Sequence, residues 1–233
     1  MSDRDRPLVI AHRGASADVP ENTVEAFLVA RAQGADWVEL DVRLAADGAL
    51  IVHHDAWYRD QRTVWSTARN EVPDGTIELA TALAACDGMG VNVEIKNSPG
   101  DLADAPGGPA VVEATMAALA TVDLGRDRIL VSSFDLASIE LVKEIDPATA
   151  TAYLVLDLSA EPDAVAIVAD GGHQALHPWD PFVTAELLET CHGRGVRLNT
   201  WTVNDAQRWG ELVRLGVDGI VTDTPGLLAA ALS

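Results

Sequence analysis

Apolar runs of strand length alternate with stretches of helical periodicity along the whole chain, and this alternation restricts the fold more than any other feature. Residues 8–11, 37–44, 91–95, 129–132, 149–154, 174–176, 196–200 and 219–221 read as eight strands. Most are followed by a helix. Thr23 caps one that is expected to pack through Val24, Phe27, Leu28 and Arg31 and to end at Gly34. Others are predicted over 78–85, 111–119, 136–145, 164–169, 185–192, 205–215 and 226–232. Asp47-Gly48 makes a tight turn into a short extension, 49–53, which predicts a hairpin with the second strand. Eight βα units in 233 residues come close to the roughly 250 residues of a closed (βα)8 TIM barrel. No Pro/Gly-rich linker divides the chain, so residues 1–233 are expected to form one domain, with 97–109 as a βα loop.

In such a barrel the chemistry sits where the loops converge at the C-terminal ends of the strands. His12 and Arg13 close the first strand, Glu39 and Asp41 lie late in the second, His54 ends the hairpin extension, and Glu94 and Lys96 close the third. Ser132 and Ser133 follow the fourth strand, His177 the sixth, Trp201 and Asn204 the seventh and Asp223 the eighth. In WVELDVRL, alternation puts Glu39 and Asp41 on one face and Val38, Leu40 and Val42 on the other; VEIK sets Glu94 beside Lys96 in the same way. Three carboxylates from two neighbouring strands make a hard oxygen site suited to Mg²⁺ or Ca²⁺. The residues also allow a cation-free arrangement, with Glu39 paired to Lys96 or Arg13, but so dense a cluster of buried acid is hard to neutralise with side chains alone. His12 and His54 arrive beside these carboxylates and can supply a base and an acid near neutral pH. His192, near a helix end, reads as structural. Arg13 and Lys96 favour an anion, and phosphate is the natural candidate. No Walker or dinucleotide glycine pattern is present, which leaves an organic redox cofactor without support.

Lys and Arg number 16 against 36 Asp and Glu, a net charge of −20. Such a surface repels nucleic acid and anionic membranes, so neither is expected as a partner. A small anionic substrate needs the local positive charge that Arg13 and Lys96 provide. No apolar run reaches the length of a membrane span, and the polar start, residues 1–7, lacks the pattern of a secretory signal; a cytoplasmic location is expected. Cys86 and Cys191 read as two reduced, inert thiols. Oligomeric state is not encoded in any feature of the sequence.

The motifs AHRG (11–14), PENT (20–23), GADWVELDVRLAADGALIVHHD (34–55), VEIK (93–96), SSF (132–134), WTVN (201–204) and GVDGIVTDTP (216–225) together resemble the glycerophosphodiester phosphodiesterases. The resemblance spans nearly the whole chain. It implies the phosphodiesterase form of the (βα)8 barrel. Glu39, Asp41 and Glu94 would hold a divalent metal cation, Mg²⁺ or Ca²⁺, with His12 and His54 as the acid–base pair. Arg13 and Lys96 would grip the phosphoryl oxygens, and Trp201 would stand against the alcohol or glycerol group. Glu21 and Asn22 would shape the first loop, and Asn204 and Asp223 would support the rim. The implied reaction is hydrolysis of glycerophosphodiesters to glycerol 3-phosphate and an alcohol, through a cyclic phosphate formed by the glycerol 2-hydroxyl, with His54 as acid for the leaving group. The segment after HHD departs from the family pattern: it is a shortened insertion after strand 2, carrying Trp57, Tyr58, Arg59 and Trp65. Those aromatics either contact an apolar or choline-like group or pack the shortened loop. A groove around Trp57 and Trp65 would favour a lysophospholipase D-like enzyme; a barrel that binds a phosphorylated metabolite without turnover is the remaining alternative.

Overall fold

Ten strands and eight helices follow one another in the computed structural model, which describes residues 6–97 and 108–233. The strands are β1 (Leu8–His12), β2 (Trp37–Leu44), β3 (Leu50–Val52), β4 (Ile77–Glu78), β5 (Gly90–Ile95), β6 (Ile129–Ser133), β7 (Ala150–Val155), β8 (Ala175–Pro178), β9 (Arg197–Thr200) and β10 (Gly219–Thr222). The helices are α1 (Val24–Ala32), α2 (Leu79–Ala85), α3 (Pro109–Leu119), α4 (Leu136–Ile145), α5 (Ala164–Asp170), α6 (Ala185–Gly193), α7 (Ala206–Leu215) and α8 (Pro225–Ala231). Eight of the strands, all but β3 and β4, pair in parallel around a ring that β10 closes onto β1. This is the (βα)8 barrel. The polar start at residues 1–5 and the bulk of the loop at 97–109, namely 98–107, lie outside the described residues.

Chain punctuation accounts for the elements. Thr23, Asp135, Thr184 and Asp205 each accept, through the side chain, a backbone N–H three residues on, and so start α1, α4, α6 and α7. The alternate residues of β2 that point outward, Val38, Leu40 and Val42, pack against Phe27, Ala30 and Leu83 of the surrounding helices. On the opposite side of the barrel Leu176, Leu198 and Ile220 meet Ile139, Trp209 and Leu212. Inside, Trp37, Leu130, Ala152 and Ala175 close the N-terminal end.

Two sequence expectations need correction. Helix α1 buries Ala26, Phe27 and Ala30, whereas Leu28 and Arg31 are exposed, because the face it turns to the barrel runs through positions 26, 27 and 30. The excursion after β2 also contains more structure than a single hairpin. β1 ends in register with Glu39, so the upper part of β2 has a free edge, which β3 takes in antiparallel pairing; β4 then extends β3. Ala45, Ile51, Tyr58 and Val64 form a small core under this excursion. Cys86 and Cys191 are free and buried, with burial pushing each thiol up to about 12. Among the described residues no helix is long and apolar enough to cross a membrane.

Candidate active site

β1 stops at His12 because the next residues leave the sheet. Arg13 takes φ 56° and Gly14 φ 86°. A Cβ on Gly14 would stand 2.6 Å from the backbone of Ala26, so only glycine lets this turn sit on α1. Arg13 is held in its left-handed conformation from both sides. Its N–H donates to Glu39 O at 2.9 Å and Glu39 Oε2 at 3.1 Å, and its carbonyl accepts the Asn22 N–H at 3.0 Å. Asn22, also left-handed at φ 57°, donates through Nδ2 to Asp41 Oδ2 at 2.9 Å. The first loop is thus tied to both acidic residues of β2.

Glu39, Asp41 and Glu94 are buried and offer carboxylate oxygens that all lie within 4.8 Å of one another. Strand register produces the cluster: Asp41 faces Glu94 across the β2–β5 ladder, and Glu39 is two residues earlier on the same face. Glu39 Oε1 and Asp41 Oδ1 have no hydrogen-bond partner, although Lys96 Nζ lies 3.6 Å from Asp41 Oδ1. Burial, reinforced by the charges of Asp41 and Glu94, pushes the Glu39 carboxyl well above its ordinary range. Burial also raises Glu94, against the pull of Lys96. At Asp41 burial is outweighed by Lys96 and Arg13, which hold the carboxyl at about 2.

The cations are committed to the same cluster. Arg13 Nε lies 3.1 Å from Asp41 Oδ2, and Arg13 Nη1 donates to both oxygens of Glu21 at 3.1 Å. Lys96 Nζ donates to Glu94 Oε1 at 2.7 Å. Arg13 and Lys96 therefore pair with Asp41, Glu21 and Glu94 in place of the side-chain pairing to Glu39 that the sequence allowed. The carboxylates keep unused lone pairs even with two cations at hand. Together the orphaned oxygens and the raised Glu39 and Glu94 form a donor set that fits a hard divalent cation.

Two imidazoles flank the cluster. His12 Nδ1 lies 2.6 Å from Asp223 Oδ1, and Asp223 also receives Ser16 Oγ at 3.0 Å and Asn204 Nδ2 at 2.6 Å. Burial of Asp223 is outweighed by these hydrogen bonds, which hold it at about 2, so it stays ionised and fixes the proton of His12 on Nδ1. His54 Nδ1 lies 2.8 Å from Asp55 Oδ1; burial lowers the His54 pKa, with Lys96 and Arg13 adding to the effect against Asp41. His53 turns the other way, onto the Tyr58 ring at 4.8 Å. His192 pairs with Asp218 at 2.8 Å, away from the cluster, in the structural place its sequence context implied.

A cavity of 160 Å³ opens onto these groups. His12, Arg13, Glu39, His54, Glu94 and Lys96 line one side; Phe134, Leu154, Trp201 and Val221 line the other, with Asn92 and His177 also on its wall. Asp41 lies just behind, as part of the carboxylate cluster. Trp201 is positioned by an Nε1–H donated to His177 O at 2.8 Å, and the Phe134 ring meets it edge-on at 5.5 Å. Trp57 and Trp65 are not among the lining residues; the cavity's aromatics are Phe134 and Trp201, from the opposite side of the barrel. Tyr58 packs the small core of the excursion instead. Sequence reasoning missed Asn92, Leu154 and Val221 as lining residues, and missed the bond between Asp223 and His12. The second was available in principle, because closing the barrel places β10 beside β1.

Fold and site together define a (βα)8 barrel whose C-terminal end carries a buried acidic centre flanked by two imidazoles and two cations. A model of the glycerophosphoryl diester phosphodiesterase family matches residues 12–227. A glycerophosphodiester phosphodiesterase of Caldanaerobacter subterraneus subsp. tengcongensis is 34% identical over 249 residues, covering 96% of each chain. The solved structure of an Oleispira antarctica phosphodiesterase, in complex with the product sn-glycerol-3-phosphate, superposes with a TM-score of 0.85 at 26% identity over 97% of both chains. That of a glycerophosphodiester phosphodiesterase from Thermotoga maritima superposes with a TM-score of 0.78 at 27% identity, over 96% of this chain and 97% of that one. The chain belongs to the glycerophosphoryl diester phosphodiesterase family and is an enzyme of that family.

Proposed function

We propose that Arg13 and Lys96 bind the phosphoryl oxygens, that Glu39, Asp41 and Glu94 hold Mg²⁺ or Ca²⁺, and that His12 and His54 move the protons. The observation that carries this is the orphaned pair Glu39 Oε1 and Asp41 Oδ1, buried beside a third carboxylate, with Glu39 and Glu94 lining a cavity that both imidazoles share. When bound, the cation would polarise the phosphoryl group and lower the pKa of a nearby hydroxyl.

His12 is suited to be the base. Its Nδ1–H is fixed on an ionised Asp223, so Nε2 is the atom that accepts the proton of the attacking glycerol 2-hydroxyl, and Asp223 stabilises the imidazolium that results. His54 is suited to be the acid. Its lowered pKa makes its imidazolium a ready donor to the departing alkoxide, and the charge of a bound phosphodiester favours that imidazolium. Attack by a hydroxyl already held on the same substrate gives a cyclic phosphate and gains the advantage of an intramolecular reaction. The roles then reverse for water: His54 accepts its proton and His12 returns one to the 2-oxygen. Arg13 and Lys96 meet the charge that accumulates on the equatorial oxygens. Trp201 and Phe134 form the wall for the carbon atoms of the substrate. The full chain acts as one catalytic domain on a small soluble diester, and its buried free thiols accord with a cytoplasmic setting.

The test is a panel. Chelator-stripped protein receives glycerophosphocholine, glycerophosphoethanolamine or a lysophospholipid, with Mg²⁺, Ca²⁺ or Mn²⁺ added in turn, and glycerol 3-phosphate and free alcohol are measured. Turnover of the glycerophosphodiesters that depends on the added ion supports the assignment. Full turnover in chelator would remove the metal site, and preference for the lysophospholipid would move the enzyme to the lysophospholipase D class.

A further inference from the structure

Two residues deeper in the barrel than Glu94 and Trp201, the cavity wall changes character. Asn92 of β5 and His177 of β8 line it there, and Asn199 of β9 lies behind, donating from Nδ2 to His177 Nε2 at 2.9 Å. Ser132 of β6 is level with Glu94 across the β5–β6 ladder. All four side chains are at least nine-tenths buried: Asn92 is 3% exposed, His177 1%, Asn199 5% and Ser132 0%. Three of their oxygens, Asn92 Oδ1, Asn199 Oδ1 and Ser132 Oγ, have no hydrogen-bond partner. Buried acceptors of this kind are costly unless a donor reaches them.

The floor also differs from the rim in charge. Asn92, which stands beside Glu39 across the β2–β5 ladder, Asn199 and Ser132 carry no charge, and burial takes His177 down to about 3, so its ring is neutral. Leu154 and Val221 beside the floor offer apolar contact suited to carbon. A neutral group with hydroxyl donors and a short carbon frame matches this surface; an anion or a cationic head group does not.

We propose that this floor binds the terminal hydroxyl of the substrate's glycerol, with Asn92 Oδ1 as the acceptor that selects for it. The proposal rests on the glycerophosphodiesterase activity assigned above and adds a specificity residue to it. The hydroxyl in question is the one remote from phosphorus, on C1. It takes no part in bond breaking, so its recognition can be separated from the chemistry. A site built to hydrogen-bond a hydroxyl rejects the analogue lacking it far more strongly than a hydrophobic pocket rejects an added group.

The experiment compares glycerophosphocholine with its 1-deoxy analogue, which keeps the 2-hydroxyl, the phosphodiester and the choline. Choline release reports both substrates in saturating Mg²⁺. Wild-type protein is expected to favour the hydroxylated substrate in kcat/KM by about 100-fold or more. In Asn92→Leu, which keeps the branched shape and removes the acceptor, that ratio should fall below about 5-fold, whatever loss the two substrates share. Asn92→Ala provides a second variant should Asn92→Leu fail to fold, and the same narrowing of the ratio is expected there. An unchanged ratio in folded variants would overturn the assignment and leave the floor to ordered water. A raised Mg²⁺ requirement with the ratio intact would also overturn it, by placing Asn92 at the cation instead. Failure of wild-type protein to turn over either substrate under any divalent ion would strike the activity itself rather than the floor.

Discussion

The two ends of this barrel are built from the same strands and treat burial in opposite ways. At the N-terminal end Trp37 covers Leu130, Ala152 and Ala175, and it lies so close over β5 that a Cβ on Gly90 would stand 2.2 Å from its ring. Two and four residues further along β2, Glu39 and Asp41 are almost fully buried, yet each leaves an oxygen unpartnered. Apolar groups at the first end gain free energy by leaving water. Carboxylates at the second end lose hydration and repel one another, and two side-chain cations only partly offset the loss. One strand therefore carries a stabilising half and a destabilising half. The destabilising half is retained because a ligand can complete it.

The sharpest way to break that comparison is to remove one acid. Glu39→Gln should lower kcat by about 10³-fold under saturating Mg²⁺, since a metal donor and part of the charge balance are lost together. The same variant should be more stable than wild type in chelator, by about 1 kcal/mol, because a repelled, dehydrated charge has gone. Loss of stability alongside loss of activity would show that the cluster supports the fold. The opposite end should give the opposite result. Trp37→Ala should cost about 3 kcal/mol of stability by opening a cavity in the plug, while kcat per folded molecule stays within a factor of about three. Urea unfolding and active-site titration separate the two effects.

Between these extremes lies His12. Asp223→Asn keeps the shape beside Nδ1 but removes the charge that holds the imidazole in one tautomer and stabilises its protonated form. A loss of about 100-fold in kcat with little change in KM is expected, because the effect falls on proton transfer rather than on binding. An equal change in both constants would reduce Asp223 to a rim residue that shapes the pocket.

How much of this was legible in the sequence depended on whether the signal was local. The alternation in β2 is a property of eight consecutive residues, and it placed Glu39 and Asp41 on one face and Val38, Leu40 and Val42 on the other, as the structure does. The caps at Thr23 and Asp205 are local in the same sense. What escaped was set by neighbours distant in the chain. Strand β4 is two residues long and exists because β3 offers an edge. The wall opposite the phosphate site comes from the ends of β6, β7, β9 and β10; it includes Trp201, which the resemblance placed there, and not Trp57 or Trp65, for which substrate contact was one of two alternatives. Asn92 sits two residues before Glu94 in plain view, but an asparagine in a strand announces nothing until its oxygen is found buried without a donor.

The smallest effect sharpens the contrast through pH. The Glu39 pKa is raised in the folded protein above its ordinary value of 4.5. Its contribution to stability is therefore fully present below 4.5 and is lost as pH rises through the folded value, where the buried group must ionise next to Asp41 and Glu94. Glu94 is shifted in the same direction. Asp41 and Asp223, each held at about 2, behave in the opposite sense: their contributions are present above the ordinary 3.8 and are lost only as pH falls toward 2. Between about pH 4.5 and 7 the two raised glutamates titrate together with the lowered histidines His54, His173 and His177, and the comparison with and without the ion separates the glutamates from the histidines remote from it. A divalent cation binds the glutamates in the ionised form and displaces a proton in doing so. Its stabilisation should accordingly be larger at pH 7 than at pH 4.5, by about 1 kcal/mol for each unit by which the glutamate is raised. Thermal unfolding with Mg²⁺ and with chelator at the two pH values measures this directly. An ion effect that is the same at both would mean that the glutamates are already ionised without it, and the strain ascribed to this end of the barrel would not exist. Glu39→Gln provides the matching check, since it should flatten most of the pH dependence while leaving the Trp37 end of the molecule untouched.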